Sequence, residues 1–438
     1  MRCSSSARAG DSNYHGWKSL KLSNDLIEVQ VVPDIGRIIQ LKLADFEYLW
    51  TNAQLAGHVP PISGVGPNNS WLNYGGSKLW PAPQGWGRDD YWPGPPDPVL
   101  DGSPHTGSIL EQNGESAVQL VSQKDKRSGV QFTRKIKIYE NVTRVSIDCR
   151  MENIDTRARR WGIWQVTQHN TAKRDSPGFD KNTRVYCPIN PNSIYPNGYK
   201  VIYGRSDNPE YSIENGMVCV QYLHLVGKIG MDCSAGWYAV VNRTSGHVFV
   251  ERFNWIPETE YPDGASFEAW TQGAGTIQAY GREVEMSERV EENPYVLETE
   301  VLSPFAQLQP GASSCYHSDW YVTRVQANLS VIRCNNLGVT CEPLRANLSG
   351  DKLTIRGGHF GIFSRGEVAL AFADARGEKI SVGESRAPIS PTKPLGLDEL
   401  RNLADRTTIL SQADQLSLVL LDDSGTSIGC LGATKIEK

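Results

Sequence analysis

The chain has no run of about 18 apolar residues, the length a membrane-spanning helix needs. Its nine cysteines include no CxxC pair, which argues against zinc ribbons and redox pairs. It has no basic excess either: 44 Lys and Arg face 49 Asp and Glu, a net charge of −5, so nucleic acid is not an expected partner. P-loops, Rossmann fingerprints and HExxH are missing, which disfavours NTPase, NAD-dependent and zinc-protease chemistry. The eight histidines are dispersed, so neither a metal nor a cofactor is expected.

The amino terminus, MRCSSSARAG, lacks the apolar stretch of a complete secretory signal. Cys3 followed by three serines resembles the start of a processed bacterial lipoprotein. A plain flexible terminus is the alternative, ahead of a lipid anchor at Cys3, so localisation stays open, with a periplasmic or secreted site set slightly before a cytoplasmic one. The other eight cysteines either pair in an oxidising compartment or are buried thiols. Cys149 and Cys219 sit inside apolar strand patterns, which favours thiols.

Aromatic residues divide the chain. All 12 Trp and 17 Tyr lie at or before Tyr321, leaving the last 117 residues with neither. The expected organisation is a flexible segment at 1–19, a large domain at 20–325 and a small domain at 326–438. In the large domain LIEVQVVP (26–33), FTRKIKIYE (132–140) and VTRVSIDCRMEN (142–153) alternate apolar and polar residues, the period of half-buried strands. GWYAVVNRTSGHVFVERF (236–253) reads as a hairpin turning at Thr244–Gly246. Long amphipathic helices are missing, so the fold class is all-β, a large antiparallel sandwich. The C-terminal segment alternates too and reads as a small Ig-like sandwich, with one short helix over 397–404.

Three stretches carry candidate site residues. GGSKLWPAPQGW (75–86) breaks helices and strands yet holds Lys78, Trp80, Gln84 and Trp86, with Trp71 and Trp92 close by. Indoles this dense suit a sugar, whose C–H face packs on aromatic carbon while hydroxyls bond to groups at the edge. Asp89, Asp90, Asp97 and Asp101 add such groups. RRWGIWQVTQHN (159–170), read as a strand, puts Gln165, Thr167 and His169 on one face and Trp164, Val166 and Gln168 on the other. The first face is unusually polar for a core strand, making His169 and Gln165 candidates. In YVLETEVL (295–302), Glu298 and Glu300 share a face. Apolar surroundings would raise a Glu pKa towards the range of a general base. Asp263, Glu268 and Trp270 follow one another in ETEYPDGASFEAWTQG (258–273).

With these residues in place, the sequence resembles the galactose mutarotase-like (aldose 1-epimerase-like) superfamily of large supersandwich proteins over roughly residues 20–325. VVPDIGRIIQLKLADFEYLWTN (31–52) is similar to the family's opening Gly-Arg turn and hairpin, and LETEVLSPFAQLQPG (297–311) to its late Leu-Glu-Thr strand. GGSKLWPAPQGW and WGIWQVTQ look most like a bacterial group with a GGxKxWPAPQ loop. The resemblance implies that Glu298 is the general base, with Glu300 the alternative, and that Arg37 lies at or supports the site. The family's Thr-Asn-His acid falls in IWQVTQHN, where Gln165 takes the equivalent place. A glutamine cannot be that acid, which leaves His169 or Lys78.

The expected function is carbohydrate binding with cofactor-independent proton transfer at an anomeric centre. Trp80, Gln84, Trp86, Trp164, Gln165, Asp263, Glu268, Glu300 and Arg37 would contact the sugar. The alternatives are a non-catalytic glycan-binding module, or a lyase or glycoside hydrolase pairing Glu298 with Asp263 or Glu268.

Overall fold

The computed structural model describes residues 7–86, 88, 90–112, 115–279, 281–350, 352–405 and 413–438. Cys3 and Asp89, both singled out from the sequence, lie outside the described residues. The chain forms two compact units, one of residues 1–140, 145–238 and 251–320, the other of residues 141–144, 239–250 and 321–438. No described helix is long and apolar enough to cross a membrane.

The first unit is built on two large sheets. In one, the strands run in the order Arg8–Tyr14, Trp17–Ser23, Ile27–Val32, Arg37–Leu43, Ser77–Ala82, Arg159–Asn170, Val296–Leu302, Phe267–Thr271, Gly227–Met231 and Lys200–Gly204. The other includes Val130–Ile138 and Val145–Asn153. Strand Val130–Ile138 alternates buried and half-buried residues without a break, as a strand with one wet face must. Strand Arg159–Asn170 does not: every residue from Trp161 to His169 is buried. Both of its faces are covered.

Two expectations change. Of the segment 1–19, the part from residue 8 onward is not a flexible tail, because Arg8–Tyr14 pairs antiparallel with Trp17–Ser23. Tyr14 and Trp17 are buried with Ile35, Ile39 and Tyr74, and the Trp17 indole N–H donates to the His58 carbonyl at 2.6 Å. Aromatic anchoring, not alternation, fixes this strand, so the periodicity of RAGDSNY could not reveal it. Nor is GGSKLWPAPQGW wholly loop. Ser77–Ala82 is a strand paired with Arg159–Asn170, Pro81 included. Its other edge pairs with Arg37–Leu43 only at Ile38↔Ser77, so no ladder there demands the N–H that Pro81 lacks.

The two glycines let this strand enter the sheet. Gly75 and Gly76 have φ of +94° and +71°, and a Cβ on Gly76 would stand 2.4 Å from the Ile38 carbonyl oxygen. The Gly76 N–H donates to the Trp50 carbonyl, and its own carbonyl accepts from Gln168 N–H. No L side chain fits such an approach.

The second unit is also β-rich. Strands Gly338–Ser349 and Ser427–Glu437 pair in parallel, and helix Leu397–Asp405 buries Leu400 and Leu403. Its core is aliphatic with Phe360 and Phe372. Cys149, Cys187, Cys219 and Cys233 of the first unit are buried free thiols.

Replacing Gly76 by Ala combines a positive-φ penalty with a backbone clash. The expected loss is about 2–3 kcal/mol, seen as a lower urea midpoint with unchanged m-value.

Candidate functional site

The first unit holds a cavity of about 510 Å³ on one face of its first sheet. Strand register explains which side chains line it. Across the sheet, Gln168 stands opposite Glu298, Glu298 opposite Trp270, and Trp270 opposite Lys228. One row along, Lys78, Val166, Glu300 and Glu268 are aligned in the same way. Trp80 faces Trp164 in the next row. Period two thus delivers every second residue of five neighbouring strands to one surface.

Six tryptophans, Trp50, Trp71, Trp80, Trp86, Trp164 and Trp270, line the cavity. Trp80 meets Trp164 edge-on with ring centres 5.3 Å apart, while Trp92, behind the wall, lies 4.8 Å from Trp80. Asp101 sets two of these rings. Its carboxylate accepts from the Trp71 indole at 2.6 Å and the Trp80 indole at 3.1 Å, and pairs with Arg37 at 2.6 Å. Arg37 and Asp101 are both buried, so this ion pair is a support that stands behind the indoles and outside the lining.

The floor is charged. Lys228 lies 2.6 Å from Glu268 and 2.8 Å from Glu300, with its ammonium 4.5 Å from the centre of the Trp164 ring. The Trp164 indole donates to the same Glu300 oxygen at 2.7 Å. Burial works to lower the Lys228 pKa, but the two carboxylates outweigh it and hold the pKa above the usual lysine value. Burial pushes Glu268 up to about 8, with Lys228 opposing the rise. Glu298 accepts from Gln168 Nε2 and lies 3.7 Å from Lys78 Nζ. Burial raises its pKa, Lys78 pulls it down, and Glu300 adds to the rise. Lys78 is held by faces, not bonds: its Nζ sits 4.7 Å from the Trp71 ring centre and 4.4 Å from Trp80, buried without a hydrogen-bond partner. Its pKa is lowered by burial, against the pull of Glu298 and Asp101.

These residues fall within a matched family segment. Residues 17–323 match the model described as Domain of unknown function (DUF4380). The chain belongs to this family. No curated protein matches it. Solved structures resemble the DUF4380 chain at low identity. A TPR-domain containing protein from Parabacteroides distasonis is 12% identical, with a TM-score of 0.48, over 73% of this chain and 49% of that one. A galactose mutarotase-like protein from Clostridium acetobutylicum is 11% identical over 73% of this chain and 99% of its own, with a TM-score of 0.46. A galactose mutarotase-like protein from Lactobacillus casei is 11% identical over 69% and 99%, with a TM-score of 0.44.

Of the residues singled out from the sequence, the DUF4380 chain brings Trp80, Gln84, Trp86, Trp164, Glu298 and Glu300 to the cavity wall. Lys78 and Glu268 lie directly behind it through their contacts with Glu298 and Lys228. Asp263 is half-buried outside the lining, near enough for Lys228 to lower its pKa against the rise from burial. Arg37 supports Asp101 as described. Asp97 caps the backbone of Val99 and Leu100 and accepts from Trp92, while Asp90 pairs with exposed Arg88.

Gln165 and His169 must be reassigned. They point to the opposite side of their strand from Gln168, into a buried polar network. His169 Nε2 and the Tyr238 hydroxyl both meet Thr299 Oγ1 at 2.7 Å. Tyr238 in turn donates to Glu251 at 2.6 Å, and Gln165 Nε2 donates to the other Glu251 oxygen. Burial pushes His169 down to about 3, so it is neutral and out of reach of a ligand beside Glu298. The polar face of this strand is core; the face carrying Trp164 and Gln168 is the site. Lys228 was missed because GKIGM offers a single Lys between small residues, with no periodic signal. Among the described residues, no group of three or more His, Cys, Asp or Glu could hold a metal ion.

Two predictions follow from this geometry. Asp101→Ala strands buried Arg37 and leaves two indoles without an acceptor, so stability should drop by about 3–5 kcal/mol, with a change in near-UV circular dichroism. The second concerns Glu251, whose pKa burial pushes up to about 7 from the ordinary 4.5. Folding then keeps a proton that the unfolded chain releases, so this group's contribution falls as pH rises from about 4.5 to 7. Glu251→Gln should remove that decline, about 3 kcal/mol over the window. Urea midpoints of variant and wild type, compared across the window, check it.

Proposed function

We propose that the tryptophan-walled cavity binds a carbohydrate and that Glu298 exchanges a proton with it at the anomeric centre, the chemistry of an aldose 1-epimerase. The observation that carries this reading is Glu298 itself. It lines a cavity of monosaccharide-to-disaccharide scale, its side chain is 13% exposed, and burial raises its pKa towards that of a useful base.

The surroundings support a sugar ligand. Flat indole faces match the C–H faces of a pyranose, and Asn52, Asn73, Gln84 and Gln272 interleave amide groups between them. Glu298 takes the proton from the anomeric hydroxyl as a proton is delivered to the ring oxygen. The ring opens, C1 rotates about its bond to C2, and reclosure gives the other anomer. Lys78, 3.7 Å from Glu298, sits behind the wall out of reach of the ring oxygen and acts on Glu298 by its charge. Glu298 carries the proton itself, from the anomeric hydroxyl to the ring oxygen.

A non-catalytic glycan-binding module is the second reading, and one observation favours it: no histidine is among the residues lining the cavity. Both readings share the binding step and part at turnover. Anomer interconversion of free aldoses followed by NMR separates them. Glu298→Gln should slow interconversion at least ~100-fold while sugar-dependent quenching of tryptophan fluorescence persists. Wild-type binding with no interconversion would leave the binding module standing. Lys78→Met removes the charge that lowers the Glu298 pKa, so the acid limb of the kcat/KM profile should move to higher pH.

A further inference from the structure

At the cavity floor, three carboxylates, Glu268, Glu298 and Glu300, share two ammonium groups, Lys78 and Lys228. None of the three carboxylate side chains is more than 13% exposed, so solvent ions screen them little. The rim repeats the imbalance. Glu291 and Glu292 line the cavity and share Arg289, at 3.9 and 3.1 Å. Arg37 does not redress it, being matched by Asp101. Half-buried Asp263 is a further acid near Lys228, and Lys200 also acts on it.

Gln168 supplies an independent observation. Its Nε2 is committed to the Glu298 carboxylate, which fixes the orientation of the amide. The buried Oε1, on a residue that lines the cavity, then has no hydrogen-bond partner. An unsatisfied buried acceptor is costly, and a ligand donor would recover that cost. Glu298 and Gln168 together thus offer a carboxylate and a carbonyl oxygen to one donor group. The walls have the same electrical preference. Indole faces attract cations, and the chain's own ammonium groups already lie against Trp71, Trp80 and Trp164.

We infer that the cavity takes an amino sugar whose amine is free and protonated, in preference to neutral or acidic sugars of the same configuration. The ammonium group sits at Glu298 and Gln168 Oε1, and the pyranose ring lies on the indoles. This rests on the sugar-site reading and narrows it.

The test is a tryptophan-fluorescence titration of the full chain with glucosamine, glucose, N-acetylglucosamine and glucuronate, repeated in the galacto series. It is run at constant ionic strength and at a pH where the amine is protonated. The free amine should bind at least ~10-fold tighter than the neutral parent, about 1.4 kcal/mol. N-acetylation should remove the gain, and the uronates should bind most weakly. Gln168→Leu should reduce the preference, and Gln168→Glu, which adds charge at the same size, should increase it. Equal binding of amine and parent, or tighter binding of the uronate, would overturn the inference and leave the sugar site standing. Binding of no sugar in either series would overturn both.

Discussion

Strand Arg159–Asn170 has no solvent face over its central residues, Trp161 to His169, and the first unit is organised around that fact. A strand covered on both sides must satisfy its polar side chains on both sides, because an unpaired buried polar group is costly. The chain meets this demand in two different ways. On the side of Gln165, Thr167 and His169 it builds a closed network through Thr299, Tyr238 and Glu251. On the side of Trp164 and Gln168 it leaves a cavity and incomplete pairing.

Closed and open faces differ in what they can do. On the closed face His169 is held uncharged, and burial disfavours the ionised form of Glu251. Its bonds are made within the protein. The open face concentrates ions that would be expensive to bury alone, and supports them with one another and with indole faces. Asp101 is what keeps those faces in position, tying Trp71, Trp80 and Arg37 to a single carboxylate. An ion pair outside the cavity therefore shapes its wall.

Much of this was legible in the residues. Alternation in FTRKIKIYE and VTRVSIDCRMEN marks strands, and the two-residue spacing of Glu298 and Glu300 places both on one surface. The density of tryptophan around GGSKLWPAPQGW points to a wall. What could not be read was which face of RRWGIWQVTQHN meets the cavity. Polarity suggested the face of His169, but a buried network needs polar residues as much as a ligand does. Lys228 was equally hidden, because its partners Glu268 and Glu300 are distant in sequence and meet it only across three neighbouring strands.

The sequence by itself determined that this is a β protein, that its aromatic residues gather in the first three-quarters of the chain, and that pairs such as Glu298 and Glu300 share a side. Those properties follow from periodicity and composition, which are local. Only the tertiary structure decided that Gln168, not His169, stands beside Glu298, and that Gly75 and Gly76 let a proline-bearing strand carry Lys78 and Trp80 into the sheet. Strand pairing is a long-range choice: a period of two sorts side chains into two sets, and register with distant strands assigns each set its environment.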